Sequence, residues 1–188
     1  MLKTIFLILL ISTFIAFGVT AQPYYKSNQS NIISFYSKAP LEDIQAVNKD
    51  ATSIIDIPTR NVAFKVPIKS FKFKNGLMEE HFNENYLHSD KYPEATFTGK
   101  IIEYIDLKKP GVYEVTVTGK LTIHGVTQNR TIKGKITIEN ETANIDCKFD
   151  VYLKDHQITI PKMVVKKIAE KIEVTILSKN FFKEKLND

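Results

Sequence analysis

The strongest constraint on this chain is the run from Val112 to Ile138, VYEVTVTGKLTIHGVTQNRTIKGKITI. Its first half puts Tyr113, Val115, Val117, Gly119, Leu121 and Ile123 on one face and Glu114, Thr116, Thr118, Lys120 and Thr122 on the other. Alternation of this length specifies a strand buried on one side and wet on the other. The second half repeats it, with Ile132, Gly134, Ile136 and Ile138 inward and Thr131, Lys133, Lys135 and Thr137 outward. The reversal is expected within His-Gly-Val-Thr-Gln-Asn, where Gly125 can take the positive φ of a short hairpin connection. An isolated two-stranded ribbon is marginal in water, so the rest of the chain must cover its apolar face.

Further alternation supplies the cover. The sequence predicts strands near 29–37, 51–57, 62–68, 94–101, 142–153 and 170–178, which with the ribbon make eight. Residues 22–28 read as a loose leader, 38–50 carry no clear period, and 161–168 fit either a loop or a turn of helix. Pro67 would delete a ladder hydrogen bond, which argues for an edge or a bulge. Residues 76–87, GLMEEHFNENYL, break the two-residue period. Met78, Phe82 and Tyr86 fall four apart, the stripe of a short helix with Asn75 as N-cap. Eight antiparallel strands with one apolar face close most simply into a barrel, with a two-sheet sandwich as the competitor.

The chain opens MLKTIFLILLISTFIAFGVTAQ: a charged start, an apolar middle and Val-Thr-Ala. That pattern describes a secretory signal peptide at 1–21, followed by a single domain at 22–188, and an exported protein. An uncleaved anchor is the alternative reading of the same run. Lys3 leaves with the signal, so the net charge falls by one from +5. The lysines at 120, 133, 135 and 148 lie on outward strand positions rather than in a patch with interleaved aromatics, so nucleic acid is not an expected partner. With Cys147 as the single cysteine, no intrachain disulfide can form, and its inward phase marks it as a buried, unreactive thiol.

Chemistry is sparse. No CxxC pair, glycine-rich phosphate loop or serine–histidine–acid spacing occurs. His81, Glu84 and His88 have metal-capable side chains at helical spacing, but His81 borders the apolar stripe and Ser89-Asp90 frays the end; no metal site is assigned. His124 falls in the central turn and His156 in a loop beside Asp155. Gly99, Gly119 and Gly134 occupy inward strand positions. Either the barrel bends there, or the missing side chains leave room for a ligand or another backbone.

Two stretches together resemble the YceI-like family of bacterial envelope proteins. These are LHSDKYPEATFTGKI, preceded by the helix with His81, and VTGKLTIHGVTQNRTI. The matching positions are His81, Tyr92, Pro93, Phe97, Gly119, Leu121, Thr122, Ile123, His124, Gly125, Val126 and Thr127. The resemblance implies an all-β fold, an eight-stranded antiparallel lipocalin-like barrel with one short helix over one end and a long apolar tunnel. It further implies an exported protein that binds amphiphiles such as polyisoprenoids, quinones or fatty-acid derivatives, without catalysis and without a cofactor. This chain departs from longer members in the connection QITIPKMVVKKIAEK and in lacking the arginine often seen before the helix histidine.

The expected ligand-binding residues are Phe64, Phe97, Ile101, Val115, Val117, Leu121, Ile136, Phe149 and Val151 along the tunnel, with Met78, Phe82 and Tyr86 as a lid. The expected partners are an amphiphilic lipid or isoprenoid, a membrane surface touched transiently, and a second copy in a homodimer. The expected location is periplasmic or secreted. The alternative function is a filled-barrel structural or interaction module of the envelope. On either reading the protein is not an enzyme.

Overall fold

The computed structural model describes residues 24–27, 31–38, 43–56, 59–104, 106, 109–139, 142–160 and 169–184. Residues 1–21, expected as a signal peptide, and the ambiguous segment 161–168 lie outside them. Ten strands follow in chain order: β1 (Tyr24–Ser27), β2 (Asn31–Ser37), β3 (Ile44–Asp56), β4 (Asn61–Pro67), β5 (Lys72–Phe73), β6 (Glu94–Ile101), β7 (Gly111–Ile123), β8 (Val126–Glu139), β9 (Thr142–Tyr152) and β10 (Lys171–Glu184). A six-residue helix, α1 (Gly76–His81), stands between β5 and β6.

Eight of these strands form a closed antiparallel barrel. Neighbours run β2–β3–β4–β6–β7–β8–β9–β10, and β10 pairs with both β9 and β2. Closure leaves the outward lysines no sheet edge to guard. Two of them pair with acids on neighbouring strands, Lys148 with Glu173 (2.7 Å) and Lys135 with Glu114 (3.3 Å).

The β7–β8 ribbon forms in the expected register, Val115 opposite Gly134 and Leu121 opposite Gln128. Its turn is tighter than the six residues expected. Ile123 pairs with Val126, and only His124 (φ 52°) and Gly125 (φ 74°) turn the chain. Two consecutive positive φ values give a type I′ turn, whose twist matches that of the flanking strands. A Cβ on Gly125 would also lie 2.5 Å from the Tyr92 ring, so glycine is required there twice over.

Three segments differ from their sequence reading. Residues 24–27, expected as a loose leader, form β1, which pairs with β10 at 181–184 and with β3 at 54–56. The segment 38–50, which carries no apolar period, holds the first half of β3. Its inward positions are Ala46 and Asn48, followed by Ala51 and Ser53, all buried, and a register shift separates the Asn31–Ala51 and Ile33–Asn48 pairs. The buried polar groups are satisfied across strands: Asn31 Nδ2 donates to the Ala51 carbonyl (2.9 Å), Ser53 Oγ donates to Asn31 Oδ1 (3.1 Å), and Asn48 Nδ2 donates to the Pro67 carbonyl (2.7 Å). A strand stabilised by paired polar groups shows no hydrophobic alternation. Pro67 itself sits at neither an edge nor a bulge; it ends β4 opposite Glu94 and leads into a 3₁₀ turn at Ile68–Ser70.

Candidate functional site: an apolar cavity along the barrel axis

The inward faces of the strands do not fill the barrel. They surround a cavity of about 440 Å³, walled mainly by Ile, Val, Leu and Phe side chains from all eight barrel strands. All twelve residues expected along the tunnel or its lid lie on this wall: Phe64, Met78, Phe82, Tyr86, Phe97, Ile101, Val115, Val117, Leu121, Ile136, Phe149 and Val151. The hollow interior removes the premise of the filled-barrel reading.

Two packing clusters make the wall. One is mainly aliphatic, centred on Ile55, Val62, Ile101, Val115, Leu121, Ile136 and Val151, with Phe97 among them. The other gathers Ile33, Val66, Ile68, Phe71, Leu87 and Ile158, with Phe35, Phe73, Phe82 and Tyr86 against it. Phe82 is the hub of its aromatic part. Its ring centroid lies 5.6 Å from Phe35, 5.6 Å from Phe71 and 5.0 Å from Phe73, distances at which aromatic pairs attract.

The helical segment is shorter than three α-turns. After α1, residues Phe82–Tyr86 form a π-turn in which the Leu87 N–H reaches back five residues to the Phe82 carbonyl (2.9 Å). The wider turn lets Phe82, Tyr86 and Leu87 all reach the cavity wall. Asn75 caps the start as expected, its Oδ1 accepting from the Leu77 N–H (2.9 Å). Glu79 ties the helix to β5, accepting from Lys72 Nζ (2.6 Å) and from the Phe73 N–H (3.3 Å), and these bonds, Lys72 first, lower its pKa. Asn75, Leu77 and His81 border the cavity and are also exposed, Leu77 to 57%, so the mouth opens beside α1. Another exposed wall residue, Lys135, turns its ammonium outward to Glu114.

The inward glycines resolve in favour of close backbone approach. Gly99 and Gly119 sit opposite each other in β6 and β7. A Cβ on Gly119 would fall 2.4 Å from the Thr98 carbonyl and 2.6 Å from Gly99 Cα, and the Phe97 ring covers both positions. No ligand space exists there. At Gly134, which does reach the cavity, a Cβ would meet Cys147 Cβ at 2.8 Å. Cys147 lines the wall too, and burial, with Asp146 adding to it, pushes its thiol up to about 12, so it is a hydrophobe at neutral pH.

His81, Glu84 and His88 do not converge. His88 lies past the helix with φ 43°, and its Nδ1 meets His124 Nε2 at 2.8 Å. Among the described residues, no three His, Cys, Asp or Glu side chains are grouped to hold a metal ion. The histidines instead lock the barrel end beneath the hairpin turn. His124 Nδ1 contacts the His156 carbonyl (3.2 Å), Tyr92 packs edge-on to His124 (4.6 Å), and His156 Nδ1–H donates to the Val126 carbonyl (3.0 Å).

Residues 26–179 match the protein family described as the YceI-like domain. The chain belongs to this family. In this YceI-like domain the His-Gly of the hairpin is the turn that docks on Tyr92 and His156, so these motif residues join three connections at one barrel end. A search of the curated proteins found no match. Among solved structures, the YceI-like barrel is similar to a polyisoprenoid-binding domain from Saccharophagus degradans implicated in plant cell wall breakdown (TM-score 0.71, 12% identity, 85% of this chain and 98% of that one). It is also similar to Burkholderia cenocepacia BcnA (0.66, 17%, 78% and 94%) and to the Campylobacter jejuni YCEI protein (0.58, 20%, 73% and 84%). At these identities the likeness establishes the barrel.

Phe35, Phe71 and Phe73 are wall residues that the sequence reading passed over. The Phe71-Lys-Phe73 alternation was a usable signal, but β5 pairs through only two residues, too few to register as a strand.

Proposed function

We propose that this protein is an exported binder of amphiphiles that holds the apolar chain of one lipid or isoprenoid molecule inside the barrel, for sequestration or transport in the periplasm or outside the cell. The observation that carries the reading is the cavity itself: a deep, mostly apolar space within the barrel that opens beside exposed Asn75 and His81. Water gains few hydrogen bonds in such a space, and apolar ligands enter it readily. The hydrocarbon would lie among the aliphatic and aromatic walls, and the polar head would stay at the mouth. Loading would take place at a membrane surface, where amphiphiles reside. Support also comes from the Saccharophagus degradans relative, which is a polyisoprenoid-binding domain, and from the signal-like start of the chain. Catalysis has no part in this reading.

A titration with an environment-sensitive apolar fluorophore tests it. The expected result is one saturable site in the wild type and at least tenfold weaker binding in Val117→Phe, which projects a ring into the cavity. Equal binding by both proteins, or none by a folded wild type, would overturn the reading.

A further inference from the structure

The geometry points to a limit on chain length: the cavity takes a single hydrocarbon chain of roughly 18 carbons, not a polyprenyl chain of twice that size or more. The inference rests on the proposal that the barrel holds an amphiphile's chain. It adds where that chain must stop and which residues stop it.

Two independent measures agree. A cavity of about 150 Å³ accommodates benzene, or roughly 25 Å³ per carbon, and on that scale about 440 Å³ holds roughly 18 carbons. Depth gives the second measure. On β6 the wall runs from Ala95 near the mouth to Ile101 at the far end. Six strand steps here, or eight on β7 from Val115 to Ile123, at about 3.3 Å each and tilted by about 40°, project to roughly 15–20 Å along the axis. That is half to two thirds of the roughly 30 Å hydrocarbon core of a bilayer, the order of depth spanned by one ordinary acyl chain.

The far end is closed by side chains. Ile136 and Ile145 face each other across β8 and β9 on the cavity wall. The next inward pair along these strands, Ile138 and Ala143, is 2% and 1% exposed and packs into the aliphatic cluster. It is absent from the wall. With Ile55 and Ile101, both almost wholly buried, this pair forms the floor. Among the described residues no cavity wall continues beyond this floor, so the rest of a longer chain would turn back toward the mouth, and carbons outside the mouth gain no burial.

The test is a series of n-alkanols from 10 to 24 carbons, together with a 40-carbon polyprenol, each displacing a fluorescent fatty acid from the mature protein. Affinity should rise about fourfold per added methylene while chains are still being buried. The rise should stop between roughly 16 and 20 carbons, with the polyprenol binding no more tightly than the alkanol at the break. Ile138→Ala should move the break to longer chains and Ile101→Phe to shorter ones. Should either variant fold poorly, the wild-type series decides alone. A rise continuing through 24 carbons, or a polyprenol bound tighter than every alkanol, would overturn the limit and leave the amphiphile reading intact. No binding at any length would remove that reading and the limit with it.

Discussion

The two sides of the cavity are built in opposite ways. The wall of β6 to β9 is made of long ladders without a register break, with mostly aliphatic side chains inward beside Phe97 and Phe149, and Gly99 against Gly119 at the closest approach of two strands. The wall of β2, β3, β5 and α1 is made of short or shifted pieces, and its inward groups are phenylalanines and buried amides. The first is held by backbone hydrogen bonds, the second by side chains. Elements secured by few backbone bonds open at lower free energy than long ladders do. The mouth, beside α1, lies in the side-chain-held wall. On the proposed function, entry of a chain would therefore disturb the aromatic wall and leave the ladder wall standing.

Gly119→Leu strikes the ladder wall hardest. A side chain there meets backbone on two sides, Thr98 and Gly99, so β6 and β7 must separate. The expected result is loss of the cooperative thermal transition, or destabilisation of about 3 kcal/mol or more. A folded Gly119→Leu barrel with the wild-type melting temperature would show that this wall yields as easily as the other.

Phe82→Ala strikes the aromatic wall. It removes three ring contacts from a half-buried side chain, for an expected loss of about 2–4 kcal/mol in denaturant unfolding. The barrel should survive, while bound apolar fluorophore should leave faster. Unchanged stability with an unchanged release rate would mean that Phe82 only covers the wall.

The smallest effect joins the two walls at the hairpin turn. His156 is fully buried, and burial, the leading cause, holds its pKa below the ordinary imidazole value, with Arg130 adding to the shift. Its Nδ1–H donates to the Val126 carbonyl, and among the described residues Nε2 has no hydrogen-bond partner. The native state thus binds fewer protons than the unfolded chain once pH drops toward 6.5. Stability should be constant above that pH and fall as the pH is lowered through it toward the depressed native value. Melting temperatures measured from pH 8 to pH 5 should show this decline in the wild type and a flatter profile in His156→Gln. An identical decline in both proteins would assign the pH dependence elsewhere.

The same contrast explains what the sequence revealed. The ladder wall announces itself through strict alternation, so the ribbon, β6, β9 and their inward residues were legible down to the register of single side chains. Gly99 and Gly119 were visible as anomalies, but only the paired backbones decide between a cavity and close approach. The aromatic wall is not periodic. Asn31, Asn48 and Ser53 point inward because partners on other strands satisfy them, Asn31 for Ser53 and the Ala51 and Pro67 carbonyls for the two amides, a property no local pattern carries. The π-turn, the short β5 and the pairing of His88 with His124 likewise depend on contacts distant in sequence. The helix stripe of Met78, Phe82 and Tyr86 was legible; the phenylalanines it packs against were not.

The most direct test of the central claim, that the barrel is hollow in order to hold a chain, is native mass spectrometry of the mature protein as purified, followed by solvent extraction. The account predicts one non-covalent adduct per barrel, released by organic solvent and identified as a single-chain amphiphile, with the adduct diminished in Val117→Phe. A bare barrel that stays bare after exposure to membrane lipid extract, with its fold intact, would contradict it.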